Sequence, residues 1–76
     1  MAMACKLTWH SGIHARFYWA VRNDAPYVNN VVTVVRMLDG LYRARVTSQQ
    51  KAYRDFADLE DAKQWGELMF NLMGGN

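Results

Sequence analysis

The chain has 76 residues, a net charge of +2 and one cysteine. That length makes a single domain, residues 1–76, near the size at which one core only just offsets conformational entropy. The lone Cys5 excludes an intramolecular disulfide and fits a reducing compartment, while Met1-Ala2-Met3-Ala4-Cys5 is too short for a signal peptide and no run nears the roughly 20 apolar residues of a membrane span.

Residues 1–12 carry little pattern beyond Lys6-Leu7-Thr8-Trp9, which reads as a short edge strand ended by Ser11-Gly12. From Ile13 to Arg22 the odd positions are Ile, Ala, Phe, Trp and Val, and the even positions His, Arg, Tyr, Ala and Arg. This alternation predicts a strand with its odd positions on a core and its even positions outward. Asn23-Asp24-Ala25-Pro26 supplies turn chemistry, because Pro26 has no N–H to continue a ladder.

Val31-Val32-Thr33-Val34-Val35-Arg36-Met37-Leu38 is rich in β-branched residues and leads directly into Asp39-Gly40, a strong hairpin signal. The run is apolar on both sides, as in a strand covered on both faces. A two-residue type I′ loop at Asp39-Gly40 fixes the pairing with Leu41–Thr47. Leu38 then faces Leu41, Met37 faces Tyr42, Arg36 faces Arg43, Val35 faces Ala44 and Val34 faces Arg45. One side, read as the core side, carries Val31, Thr33, Val35, Met37, Tyr42, Ala44 and Val46. The other carries Asn30, Val32, Val34, Arg36, Arg43, Arg45 and Thr47.

Ser48-Gln49-Gln50-Lys51 reads as a turn into a short strand at Ala52–Phe56. The final element is a helix, with Asp58 at its N-cap, Glu60 and Asp61 where the macrodipole favours acids, and Gly74-Gly75 as its stop. Leu59, Ala62, Gly66, Met69, Phe70 and Met73 share one side, which Trp65, Leu68 and Leu72 widen beyond the roughly 100° stripe of a core helix. Glu60, Lys63, Gln64, Glu67 and Asn71 take the opposite side. The wide arc suggests either packing on residues 1–12 or a homodimer contact. Phe17, Trp19, Tyr42, Trp65, Met69 and Phe70 are the expected core. The predicted class is α+β: an antiparallel meander of three to four strands with one C-terminal helix packed on one face.

Chemistry-bearing patterns are few. Cys5, His10 and His14 lack a fourth ligand and a finger-like spacing, so no metal is expected. There is no phosphate-cradling glycine loop and no nucleophile–base pair, so neither a cofactor nor enzymatic activity is expected. The outer sheet face is more informative, gathering Arg16, Arg22, Arg36, Arg43 and Arg45 with His14 and Tyr18. Arg36 directly opposite Arg43 is a like-charge pair, which an anion or acidic partner would relieve. Arginine, tyrosine and exposed valine together match interface composition. The expected partner-binding residues are therefore Arg16, Arg36, Arg43 and Arg45, with Tyr18 and Val34 as the apolar centre. The plainer reading is arginine stems lying over Val32 and Val34 with their guanidinium groups in water.

Tyr42-Arg43-Ala44-Arg45-Val46, Phe56, Leu59-Glu60-Asp61-Ala62 and Trp65 resemble the strand-then-helix layout of integrase arm-binding DNA modules. That resemblance implies a three-stranded sheet docking in DNA, a helix behind it, and DNA contact by Arg43 and Arg45. The chain lacks that family's lysine-rich sheet edge and attached catalytic domain. In size and plan the chain is also similar to small phage and prophage proteins that inhibit host enzymes, anti-CRISPR proteins among them. This second resemblance implies a non-enzymatic cytoplasmic inhibitor that docks on a host protein or nucleoprotein machine. Direct DNA binding by the same face is the alternative, and no membrane partner is expected.

Overall fold

In the computed structural model, which describes residues 6–12, 16–24, 30–49 and 51–73, the protein is an α+β domain. Five strands run antiparallel in sequence order: β1 (Leu7–Ser11), β2 (Phe17–Arg22), β3 (Val32–Arg36), β4 (Tyr42–Val46) and β5 (Tyr53–Phe56). A 3₁₀ turn at Thr47–Gln49 joins β4 to β5, and helix α1 (Leu59–Leu72) packs on one face of the sheet. The meander and the single C-terminal helix agree with the sequence. The strand count is five rather than three to four, because both marginal segments, Leu7–Ser11 and Tyr53–Phe56, pair along the full edges of the sheet.

The β3–β4 register differs from the expected one by a single residue. Val34 faces Ala44, Val35 faces Arg43 and Arg36 faces Tyr42. The loop holds three residues, Leu38, Asp39 and Gly40, instead of two. The Gly40 N–H donates to the Met37 carbonyl at 3.0 Å, and the Met37 N–H donates to the Leu41 carbonyl at 2.7 Å. A type I′ loop needs positive φ at both central residues, whereas a three-residue loop needs it only at the glycine. Gly40 supplies it with φ 89°, and the Leu41 N–H donates to the Asp39 carboxylate. Because side chains alternate along a strand, this one-residue slip turns all of β3 over. Arg36 and Arg43 are therefore not opposed, and the like-charge pair expected from the sequence does not exist.

Strand β2 is turned over as well. Ala20 is fully buried beneath the helix and Tyr18 lies on the same side, while Phe17 is 42% exposed on the other. The cause is the closeness of the helix. A Cβ added at Gly66 would collide with Val32 Cγ1, so the backbone of α1 lies almost against the sheet. From the sheet only the small or compact Ala20, Val32, Val34, Ala44 and Val46 enter that gap, and the helix adds Ala62 and Phe70, each at most 1% exposed. Phe17 and Trp19, expected in the core, are too large for it and lie on the far face. Trp9, Tyr18, Tyr42, Phe56 and Trp65 form an aromatic rim around the buried centre. Val34, expected at the centre of an exposed surface, is completely buried.

Helix α1 turns Ala62, Gly66 and Phe70 inward at four-residue spacing, as its apolar stripe requires. Asp58 takes the N-cap position with extended backbone but makes no side-chain capping bond, and Glu60 and Asp61 occupy the first turn. Met73 is the C-cap; the expected stop at Gly74-Gly75 lies outside the described residues, as do Cys5, His14 and Pro26. Two residues assigned to the solvent side of the helix instead reach the sheet. The Glu67 carboxylate accepts a 2.6 Å hydrogen bond from the Trp9 indole, and the Lys63 ammonium lies 5.6 Å from the Trp9 and Tyr18 ring centres. Leu68 and Leu72, 58% and 70% exposed, form an apolar ridge on the helix surface.

Candidate functional site

No described element packs on the sheet face opposite α1. Two transverse rows of side chains cross it in register. The first runs Phe17, Val35, Arg43 and Asp55, and the second runs His10, Trp19, Thr33, Arg45 and Tyr53. The face is divided by strand. On β1 and β2 the rings of His10 and Trp19 stack with centres 5.7 Å apart, and Phe17 lies 5.6 Å from Trp19. On β4 and β5 the character is cationic: the Arg43 guanidinium sits 4.1 Å from the Tyr53 ring centre and that of Arg45 sits 5.3 Å from it. Such geometry gives each cation an electrostatic attraction to the ring face. Between the halves lies a cleft of about 210 Å³ lined by Thr33, Val35, Met37, Arg43 and Arg45.

The two guanidinium groups over Tyr53 have unequal electrostatic company. Arg43 forms a two-bond fork with Asp55, at 2.8 and 3.1 Å. The hydrogen bond from Arg43 holds the Asp55 carboxyl below its ordinary range, and the same bond raises the Arg43 guanidinium above its own. This is the strong, planar form of an arginine–carboxylate contact. Arg45 has no such carboxylate among the described residues. Its Nε is buried and has no hydrogen-bond partner. A buried donor left unbonded costs about 1–3 kcal/mol, so its retention calls for an explanation. Of the two cations over Tyr53 only Arg43 is thus paired, and the positive charge of Arg45 is left over.

Of the residues expected to bind a partner, the structure brings Arg43 and Arg45 together on this face. Tyr18 and Val34 belong to the opposite side, against α1. Arg36 also has helix-side parity; it is exposed at the end of β3, with its guanidinium 6.0 Å from the Tyr42 ring centre. Arg16 is exposed just before β2, where its carbonyl accepts the Arg36 N–H at 2.8 Å. Arg16 and Arg36 meet again in a second recess of about 170 Å³ at the hairpin end of the sheet, together with Met37, Leu38 and Gly40. Met37 therefore lines both recesses. The sequence reading missed Trp19, Val35, Met37 and Tyr53 as surface residues. A three-residue hairpin loop would have placed Val35 and Met37 correctly, on the same face as Arg43 and Arg45, whereas the pairing of Tyr53 with Arg45 follows from the β4–β5 register.

Among the described residues no three His, Cys, Asp or Glu side chains cluster as a metal site requires, and no helix is long and apolar enough to cross a membrane. No protein-family model, no curated protein and no solved structure matches the chain.

Proposed function

We propose that the protein is a non-enzymatic binding module that docks the sheet face opposite α1 on a protein partner. The observation that carries this reading is the composition of that face. Phe17, Trp19, Val35 and Met37 stand beside Arg43, Arg45 and Tyr53, with no described element over them. Aromatic residues, methionine and arginine are the types enriched at protein interfaces, and buried aromatic and arginine anchors hold most of the binding energy there. The Arg43–Asp55 fork favours a protein over nucleic acid, because it removes one of the two central cations from phosphate contact. Under the resemblance to small phage-type inhibitors, the partner is a protein of a host machine in the cytoplasm, and the module acts by occupying its surface.

The test is affinity capture from a host lysate with three baits: the wild type, Val35→Asp on the proposed face, and Gln64→Lys on the exposed side of the helix, each with and without nuclease. A specific partner should be retained by the wild type and the helix variant, lost by Val35→Asp, and indifferent to nuclease. Retention by a folded Val35→Asp bait removes the proposal. Loss on nuclease treatment transfers the face to nucleic acid, whose affinity should then fall steeply with salt.

A further inference from the structure

We infer that the partner presents an acidic, apolar peptide segment, with an apolar side chain seated in the Thr33–Val35–Met37 cleft and flanking carboxylates held by Arg45 and by the Arg16–Arg36 pair. This rests on the reading of the face as a protein-docking surface and adds the chemistry of what docks there. Three features of the structure specify it. The cleft is lined by the apolar Val35 and Met37, by Thr33 and by two arginines, Arg43 and Arg45. Of those arginines Arg43 already has its carboxylate in Asp55, whereas Arg45 has none and keeps a buried, unbonded Nε–H. The adjoining recess carries two further arginines and shares Met37 with the cleft. A segment that spans both recesses therefore meets cations in each and the shared Met37 between them.

Charge complementarity selects the occupant. A basic segment would be repelled in both recesses. A purely apolar one would desolvate Arg45 and leave its charge uncompensated, which is costly in a closed interface. A carboxylate accepting from the Arg45 guanidinium supplies the charge partner that Asp55 supplies to Arg43, and that guanidinium is held 5.3 Å from the Tyr53 ring centre. Nucleic acid would offer anions too, but its phosphates do not bring an aliphatic side chain for Val35 and Met37.

The experiment is an NMR titration of the full chain, following the Met37 methyl and Arg45 Nε–H signals. Four probes are used: a blocked hexapeptide alternating aspartate with leucine, the same peptide with lysine for aspartate, the same with serine for leucine, and a thymidine hexanucleotide. The aspartate–leucine peptide should shift both signals, and each of the other three should bind at least 10-fold more weakly. Arg45→Gln should lower affinity for that peptide about 10-fold, while Arg54→Gln, exposed on β5 and outside both recesses, should change it less than 2-fold. Should Arg45→Gln fail to fold, the lysine and serine peptides on the wild type decide the matter alone. Equal binding of the lysine peptide, preference for the hexanucleotide, or no shift with any peptide at millimolar concentration overturns the inference. If lysate capture still depends on Val35 in those cases, the docking face stands and only the chemistry assigned to its partner falls.

Discussion

Beneath the helix the sheet presents Ala20, Val32, Val34, Ala44 and Val46, all buried and all small or compact, while on its other side the same strands present Phe17, Trp19, Val35, Arg43 and Arg45. At the centre of one face a Cβ on Gly66 would collide with Val32, and on the other Phe17, Trp19 and Tyr53 stand beside Arg43 and Arg45. The contrast teaches that size, as well as hydrophobicity, sorted these residues. Phe17 and Trp19 are as apolar as the buried valines, yet they lie on the face without a helix, and the large rings on the helix side of the sheet, Trp9, Tyr18, Tyr42 and Phe56, sit around the close approach rather than in it. A domain of this size has a total stability on the order of 4–11 kcal/mol, so the packed face should dominate folding and the other face should dominate binding. Phe70→Ala is the sharpest way to show it. Removing the largest fully buried side chain should cost about 3–5 kcal/mol, enough to leave much of the chain unfolded in a urea titration.

Adjacent residues test the assignment of faces more finely. Val34→Thr places a hydroxyl in a site that excludes water and should cost about 1–3 kcal/mol if it remains unbonded. Val35→Thr, one residue along and on the opposite face, should change stability by less than about 0.5 kcal/mol. The two-residue hairpin register predicts the reverse order, so comparing the two urea midpoints decides between the registers in a single experiment. Gly66→Ala follows in size. Crowding against Val32 should cost about 1–3 kcal/mol, partly offset by the roughly 1 kcal/mol that alanine gains over glycine in a helix. A variant more stable than the wild type would mean that α1 can move off the sheet at little cost.

Much of the fold was legible because its signals are local. The helix stripe of Ala62, Gly66 and Phe70, the acidic first turn and the turn before β5 all follow from short-range spacing. The choice of face was not local. The alternation in Phe17–Arg22 says that two sides differ without saying which is inside, and Val32–Val35 is apolar on both. The decision then hung on whether Leu38 belongs to the strand or to the loop, and Asp39-Gly40 is compatible with both. Arg43 and Arg45 were placed on the face without the helix because β4 kept its expected parity when β3 turned over. Tyr53 and Asp55 could not be assigned to them without the β4–β5 register, which no turn signal in residues 48–52 sets.

The smallest expected effect lies on the open face, in the Arg43–Asp55 fork. Because the folded Asp55 carboxyl sits below its ordinary value, the unfolded chain binds its proton first as pH falls. The contribution of the fork is therefore complete above the ordinary carboxylate range near pH 4, and it is lost as pH falls through the depressed folded value. The raised Arg43 group acts only at alkaline extremes and leaves this acid limb untouched. Asp24, held low by its hydrogen bond from Arg22, adds a second component of the same sign. Urea midpoints followed from pH 7 to pH 2.5 should thus decline in the wild type and decline less in Asp55→Asn, with the Asp24 component remaining in both. Identical acid limbs would mean that the fork contributes nothing to folding. The same variant also probes the face itself: freeing Arg43 leaves two uncompensated cations over Tyr53, so affinity for the aspartate–leucine peptide should rise. A face whose cations contact the partner must respond in that direction, whereas one whose arginines only shield Val35 and Met37 from water would not respond at all.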